Sequence, residues 1–309
     1  MAEEGDLLVV LLDLALLSEE GVGAGGQAVA PADVLAQLLA FANAYTMLSS
    51  HNRLAVYAGS HDMCQLVHLG LGEGSSGSVF PAASLHAKLG ELVRKAEGGH
   101  EPGANGTAPH PAGGGRVQPF ALSGALSRAL CLIHRLQQQA AARGRVRCCP
   151  RLLVLQGSRD GSAQYIPVMN SIFSAQRAQV VIDAVVLAPE DSSFLQQAAN
   201  LTGGLYFRPP RGPGGLLGLL LAHFVTDTAT RAQMDAEQSL GVDFRASCFC
   251  HKYVIETGFV CSVCLSIFCQ PCRACTTCGT AFGAGGGPHR GGAGAAGHGA
   301  AHATEDGAG

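Results

Sequence analysis

Eight of the chain's twelve cysteines fall between Cys248 and Cys278, and no other feature limits its folding as tightly. They run as Cys248-Phe249-Cys250-His251, Cys261-Ser262-Val263-Cys264, Cys269-Gln270-Pro271-Cys272 and Cys275-Thr276-Thr277-Cys278. A two-residue spacer lets both thiolates of one tight turn reach a tetrahedral zinc ion at about 2.3 Å, and two such pairs close the coordination sphere. Cys261, Cys264, Cys275 and Cys278 are the first choice for a single zinc held by four thiolates. The remaining residues leave two readings open. Cys248 with Cys250 or His251 makes a second site with Cys269 and Cys272 in one, and replaces a pair of the first site in the other. A segment of roughly 35 residues has too little core to fold without a staple, so its folding should depend on metal. A closed site has no position for a reacting water, which makes the zinc structural. Eight ligands in this span also raise a RING-like cross-brace and ubiquitin ligase activity as an alternative. Only two residues separate Cys272 from Cys275, however, too few for the usual cross-brace hairpin.

The other four cysteines (Cys64, Cys131, Cys148, Cys149) are scattered, which suits metal ligation in a reducing compartment, cytosol or nucleus, better than a disulfide framework. Leu7 to Leu12 is apolar, but Glu3, Glu4 and Asp6 precede it and Asp13 interrupts it, unlike a signal peptide's basic start. Leu216 to Val225 is about half of the roughly 20 residues a membrane helix needs, so no membrane span is expected.

At 309 residues and 47% hydrophobic content the chain can bury a full core. Leu7 to Leu12 reads as a strand covered on both faces. After Pro31, the residues Val34, Leu38, Phe41, Tyr45 and Leu48 recur at helical spacing. Strands are predicted at 53–58 and 63–69, antiparallel because their connection is short, and a helix at 84–95. Leu122, Leu126, Ala129, Ile133 and Leu136 then share a helical face. Strand and helix alternate to the end of the domain: strand 152–155, helix 166–178, strand 180–187, helix 192–200, strand 204–207 and helix 213–224. This order predicts an α/β, doubly wound, Rossmann-like domain with a mainly parallel sheet over 1–226, carrying a Gly/Pro-rich insertion at about 98–118. A linker at 227–245, the cysteine module at 246–282 and a Gly/Ala/His tail at 283–309, too poor in apolar residues to fold, complete the chain.

Ligands of open parallel sheets sit beyond the carboxyl ends of the strands. Asp13 stands there, but a hard divalent ion would need oxygen ligands at positions held by Ala15 and Leu17. Asp13 is therefore read as a cap for the following turn. Gly21-Val22-Gly23-Ala24-Gly25-Gly26 fits a dinucleotide string but lies eight residues past the strand, behind Glu19 and Glu20, where pyrophosphate is disfavoured. Ser158, Asp160 and Ser162 are read as turn formers, and no spacing ties them to His134 as nucleophile and base. No catalytic residue, and no small-molecule substrate, is expected. The formal net charge of −3 gives no global field to draw the chain onto nucleic acid, so DNA contact should be indirect or weak.

The chain resembles the small von Willebrand A plus four-cysteine zinc-finger subunit of general transcription factor TFIIH. The resemblance rests on four blocks: Leu122 through Arg135, Gln164 through Asn170, Leu195 to Ala199 with Thr202 to Tyr206, and Ala246 through His251 to Phe282. It implies a von Willebrand A domain, a structural zinc ion and a nuclear scaffold without enzymatic activity. It further implies binding to other TFIIH core subunits, especially the larger von Willebrand A and zinc-finger subunit, in transcription initiation and nucleotide excision repair. Members of this family likewise lack an intact metal-adhesion loop. Cys272 is a departure from their pattern.

Overall fold

The computed structural model describes residues 6–18, 30–70, 81–98, 118–142, 149–161, 164–209, 215–231, 233, 248–250, 255–282 and 289–291. The chain divides into two compact units, Met1–Val242 and Asp243–Gly309. The first contains β1 (Leu7–Asp13), α1 (Pro31–Leu48), β2 (Arg53–Gly59), β3 (Cys64–Gly70), α2 (Ala82–Gly98), α3 (Leu122–Ala142), β4 (Pro150–Gln156), α4 (Tyr165–Arg177), β5 (Val181–Val186), α5 (Ser193–Thr202), β6 (Tyr206–Phe207), α6 (Gly215–His223) and α7 (Thr228–Arg231).

β1 is buried along its whole length. Successive side chains of a strand face opposite ways, so Leu7, Val9 and Leu11 enter one core and Leu8, Val10 and Leu12 the other. β2 and β4 flank β1 in parallel, and the sheet order is β3-β2-β1-β4-β5-β6, with β3 antiparallel at one edge as its short connection predicts. On one face, α3, α4 and α5 contribute Leu126, Ile133, Ile172 and Ala198; on the other, α1, α2 and α6 contribute Val34, Phe41, Leu89 and Leu220. Each fully buried aliphatic side chain contributes about 1.5–3 kcal/mol, which is why a continuous apolar strand belongs between two helical layers. The apolar run at 216–225 is spent in this core through Leu216, Leu220 and Phe224. Among the described residues no helix is long and apolar enough to cross a membrane.

Local chemistry sets the ends of the elements. Pro31 occupies the first turn of α1. Ser192 caps α5 by accepting from Leu195 N at 3.1 Å, and Gly203 closes it at φ 72°. At Gly204 a Cβ would stand 2.0 Å from the Ile182 carbonyl oxygen, so only glycine lets the chain run beside β5 into β6.

The linker expected from 227 needs correction, because the first unit continues through α7. Arg231 Nη1 donates to Asp183 Oδ1 at 2.8 Å and Oδ2 at 2.9 Å, and Asp183 is fully buried in the middle of β5. Composition could not disclose a contact between residues 48 positions apart.

The second unit holds β7 (Gly258–Val260), β8 (Ile267–Phe268) and β9 (His289–Gly291), paired antiparallel in the order β8-β7-β9. β9 falls in the stretch expected to form an unfolded tail, where backbone pairing with β7 needs no apolar side chain. Residues 99–117 of the Gly/Pro-rich insertion, the glycine string at 21–26 and the remainder of the tail lie outside the described residues.

Candidate metal centre

The cysteine module is built from an internal repeat. Cys261-Ser262-Val263-Cys264-Leu265-Ser266-Ile267-Phe268 and Cys275-Thr276-Thr277-Cys278-Gly279-Thr280-Ala281-Phe282 share the pattern C-x-x-C-x-[S/T]-x-F, fourteen residues apart. Their backbones match bond for bond. Leu265 N donates to Cys261 O at 2.8 Å as Gly279 N does to Cys275 O at 2.9 Å; Cys261 N donates to Ser266 O at 2.9 Å as Cys275 N does to Thr280 O at 2.8 Å. Val260 pairs with Ile267, and Ala274 bridges Ala281 at the equivalent place. Each half is thus a short hairpin whose tip carries two thiols. The residue after each second cysteine lies in the left-handed region, Leu265 at φ 60° and Gly279 at φ 74°. Glycine accepts that conformation freely, whereas leucine is strained in it by roughly 1–2 kcal/mol.

The two hairpins bring Cys261, Cys264, Cys275 and Cys278 together, their sulfurs all within 4.8 Å of one another. The Cys261 and Cys278 sulfurs are 3.8 Å apart and those of Cys264 and Cys275 3.4 Å. Four sulfurs tetrahedrally placed about 2.3 Å from one zinc stand roughly 3.8 Å apart, so the four thiols fit a zinc ion. Ser266 Oγ lies 3.1 Å from Cys264 Sγ and Thr280 Oγ1 3.1 Å from Cys278 Sγ, again at equivalent places. Hydrogen bonding favours a thiolate, and the Thr280 hydroxyl and N–H hold the Cys278 thiol down to about 6. Desolvation instead pushes the Cys264 thiol up to about 11. A divalent ion held there would supply the charge needed for all four to ionise together. Cys261, Cys275 and Phe268 form the buried centre of the unit, with Phe249 and Phe282 against it, a core far smaller than the first unit's.

Cys248, Cys250 and Cys269 form a separate group of sulfurs within 4.8 Å of one another. Cys272 stands in neither group and packs beside Cys261, Phe268 and Cys275. His251 lies outside the described residues. Ser266 and Thr280 escaped the sequence reading, although the repeated pattern held the signal for both.

At the carboxyl end of the large sheet, Asp13 is buried and hydrogen-bonded through both carboxylate oxygens. Oδ1 accepts from Ala15 N at 3.0 Å, capping the turn as expected. Oδ2 accepts from Gly157 N at 3.0 Å, Ser158 N at 2.8 Å and Ser158 Oγ at 2.7 Å. Burial pushes this carboxyl above the usual carboxylate range and the four donors oppose it. Both oxygens therefore accept from protein donors, and Oδ2 accepts from three. Asp160 is held likewise, by Ser192 Oγ at 2.6 Å, Gln156 Nε2 at 3.0 Å and Phe194 N at 3.2 Å, and burial raises its carboxyl too. Ser158 and Asp160 thus serve the loop's geometry, as turn formers do; Ser162 is outside the described residues.

A doubly wound sheet with one antiparallel edge strand and an aspartate held by its own loop after β1, followed by a thiol-built module, defines a domain of von Willebrand A-like fold joined to a candidate structural zinc module. The family profile described as Transcription factor Tfb4 matches residues 5–279. The chain is 42% identical over 257 residues to the Arabidopsis thaliana "General transcription and DNA repair factor IIH subunit TFB4", covering 81% of each chain. It is 36% identical over 279 residues to the Schizosaccharomyces pombe subunit tfb4, covering 89% of this chain and 88% of that one. The crystal structure of the TFIIH p34 N-terminal domain superposes with a TM-score of 0.55 at 24% identity, over 72% of this chain and 98% of that one. The chain belongs to the transcription factor Tfb4 family.

Proposed function

We propose that this chain is a non-catalytic structural subunit of the TFIIH core, acting through protein contacts in RNA polymerase II transcription initiation and nucleotide excision repair. The observation that carries this reading is a family match that runs from residue 5 to residue 279, through both units. The names of its relatives join transcription with DNA repair. The absence of catalysis is supported by the two buried carboxylates at the usual ligand end of the sheet, whose oxygens are all engaged by protein donors. Cys261, Cys264, Cys275 and Cys278 hold one structural zinc ion, which supplies the folding energy that so small an apolar core lacks. Other TFIIH core subunits are its partners, foremost the larger von Willebrand A and zinc-finger subunit. Its place is the nucleus; its net charge of −3 leaves DNA contact indirect or weak.

Rapid depletion of the chain from cells tests the reading. Both promoter opening and excision of ultraviolet lesions should fail together, with the remaining core subunits losing their common sedimentation. Loss of neither process, or intact sedimentation of the core, would refute a structural role.

A further inference from the structure

We propose that Cys248, Cys250 and Cys269 bind a second zinc ion, distinct from the one assigned to the repeated hairpins. This rests on the module being a zinc fold, and extends it to residues outside the repeat. The three sulfurs lie within 4.8 Å of one another, as those of the first group do. Cys250 and Cys269 sulfurs are 3.7 Å apart, close to the roughly 3.8 Å spacing of two sulfurs on one zinc. Cys248 and Cys250 sulfurs are 2.6 Å apart, so this turn opens by about 1 Å when both ligate.

The backbone holds this trio in place. Phe249 N donates to Ile267 O at 2.8 Å, tying the turn at 248–250 to β8, and β8 delivers Cys269 at its end. Phe249 packs against the buried centre of the module, between the two cysteines that flank it in sequence. Cys269 N donates to Cys248 Sγ at 3.3 Å, the same kind of N–H to sulfur bond that Cys278 N makes to Cys275 Sγ at 3.4 Å in the first group. Such bonds favour the thiolate, and thiolates select zinc over magnesium or calcium. On binding, each ligating thiol releases its proton to solvent. The fourth position of a tetrahedral ion falls to a donor outside the trio.

In chain order the two groups interleave: Cys248 and Cys250, then Cys261 and Cys264, then Cys269, then Cys275 and Cys278. Two ions so held cross-brace the module, the second stapling the segment by which the chain enters it to the end of β8, the returning strand of the first hairpin. The repeat accounts for four cysteines, and the second ion accounts for three of the remaining four.

Native mass spectrometry of the full chain, purified under reducing conditions, counts the ions. Two zinc ions per chain are expected, and one in Cys269→Ser. One ion in the native chain, or two or none in Cys269→Ser, overturns the proposal. An intact denatured mass lower by two hydrogens with one ion, and a peptide map that joins Cys248 to Cys250, would show a disulfide instead and also overturn it. Cys278→Ser separates the two assignments, because two ions retained there would sink the four-thiolate site and leave this trio standing.

Discussion

Replacing Arg231 with alanine should destabilise the large unit far more than its place in a compositional linker suggests. Arg231 Nη1 bonds both oxygens of Asp183, and the two side chains are 10% and 0% exposed. Its guanidinium also lies 5.5 Å from the centre of the Phe224 ring. Removal leaves Asp183 with the Leu205 N–H at 2.9 Å as its remaining described donor. Breaking a buried pair from one side costs about 3–5 kcal/mol, chiefly because a charge stays buried without its counterion. For a unit of this size each kcal/mol moves the midpoint by about 2–4 °C, so Arg231→Ala should lower it by roughly 6–20 °C. Thermal scans followed by far-ultraviolet circular dichroism measure the midpoint, and urea denaturation the free-energy change. Asp183→Asn keeps an acceptor for Leu205 N, so the double variant should recover part of the loss, with a coupling of about 1–3 kcal/mol. A single variant within about 0.5 kcal/mol of the native chain would place the end of the folded unit before α7 and refute the reasoning.

Other consequences are local. Leu265→Gly should stabilise the cysteine module by about 1 kcal/mol in a zinc-competition unfolding assay, because it relieves the left-handed strain that Gly279 avoids in the sister hairpin; a loss of stability would show that Leu265 packs usefully. Thr280→Val removes the hydroxyl that favours the Cys278 thiolate. Protons then compete better with the metal, and zinc should be released at a pH higher by roughly half a unit, read with a chromogenic chelator; a midpoint that stays put or falls would contradict the bond. Ser158→Ala removes a donor to Asp13 and the acceptor of Phe120 N, 2.9 Å away, and should cost the large unit about 1–3 kcal/mol by urea titration; a neutral result would mean the loop repacks around water. Cys275→Ser should abolish the module's zinc-dependent transition and leave the large unit's midpoint unchanged, since the units form separate compact bodies; a fall in both would contradict their independence.

The large unit was legible because its information is local and periodic. Leu7 to Leu12 could be continuous only if both faces were covered, and the short turn at Gly59 to Asp62 dictated an antiparallel β3. That Cys261, Cys264, Cys275 and Cys278 come together was legible for a related reason, since the four thiols sit in two tight turns. The turn at Cys248 and Cys250 was harder, because what joins it to Cys269 is the long-range bond from Phe249 N to Ile267 O. Arg231 carried no local signal at all: its partner Asp183 sits in a strand that reads as apolar around it. Ser266 and Thr280 belong to a pattern present in the sequence, but cysteine spacing alone does not single out hydroxyls that act on a neighbouring sulfur. β9 was missed because pairing through the backbone leaves no trace in side-chain hydropathy.

The most direct test of a structural role in TFIIH is the stoichiometry of the complex recovered from nuclei on an affinity-tagged chain, measured by quantitative mass spectrometry. The account requires one copy of the chain per copy of each core subunit, with the larger von Willebrand A and zinc-finger subunit retained through high salt. Recovery of the chain alone, or with an unrelated set of proteins at fixed ratio, would contradict it.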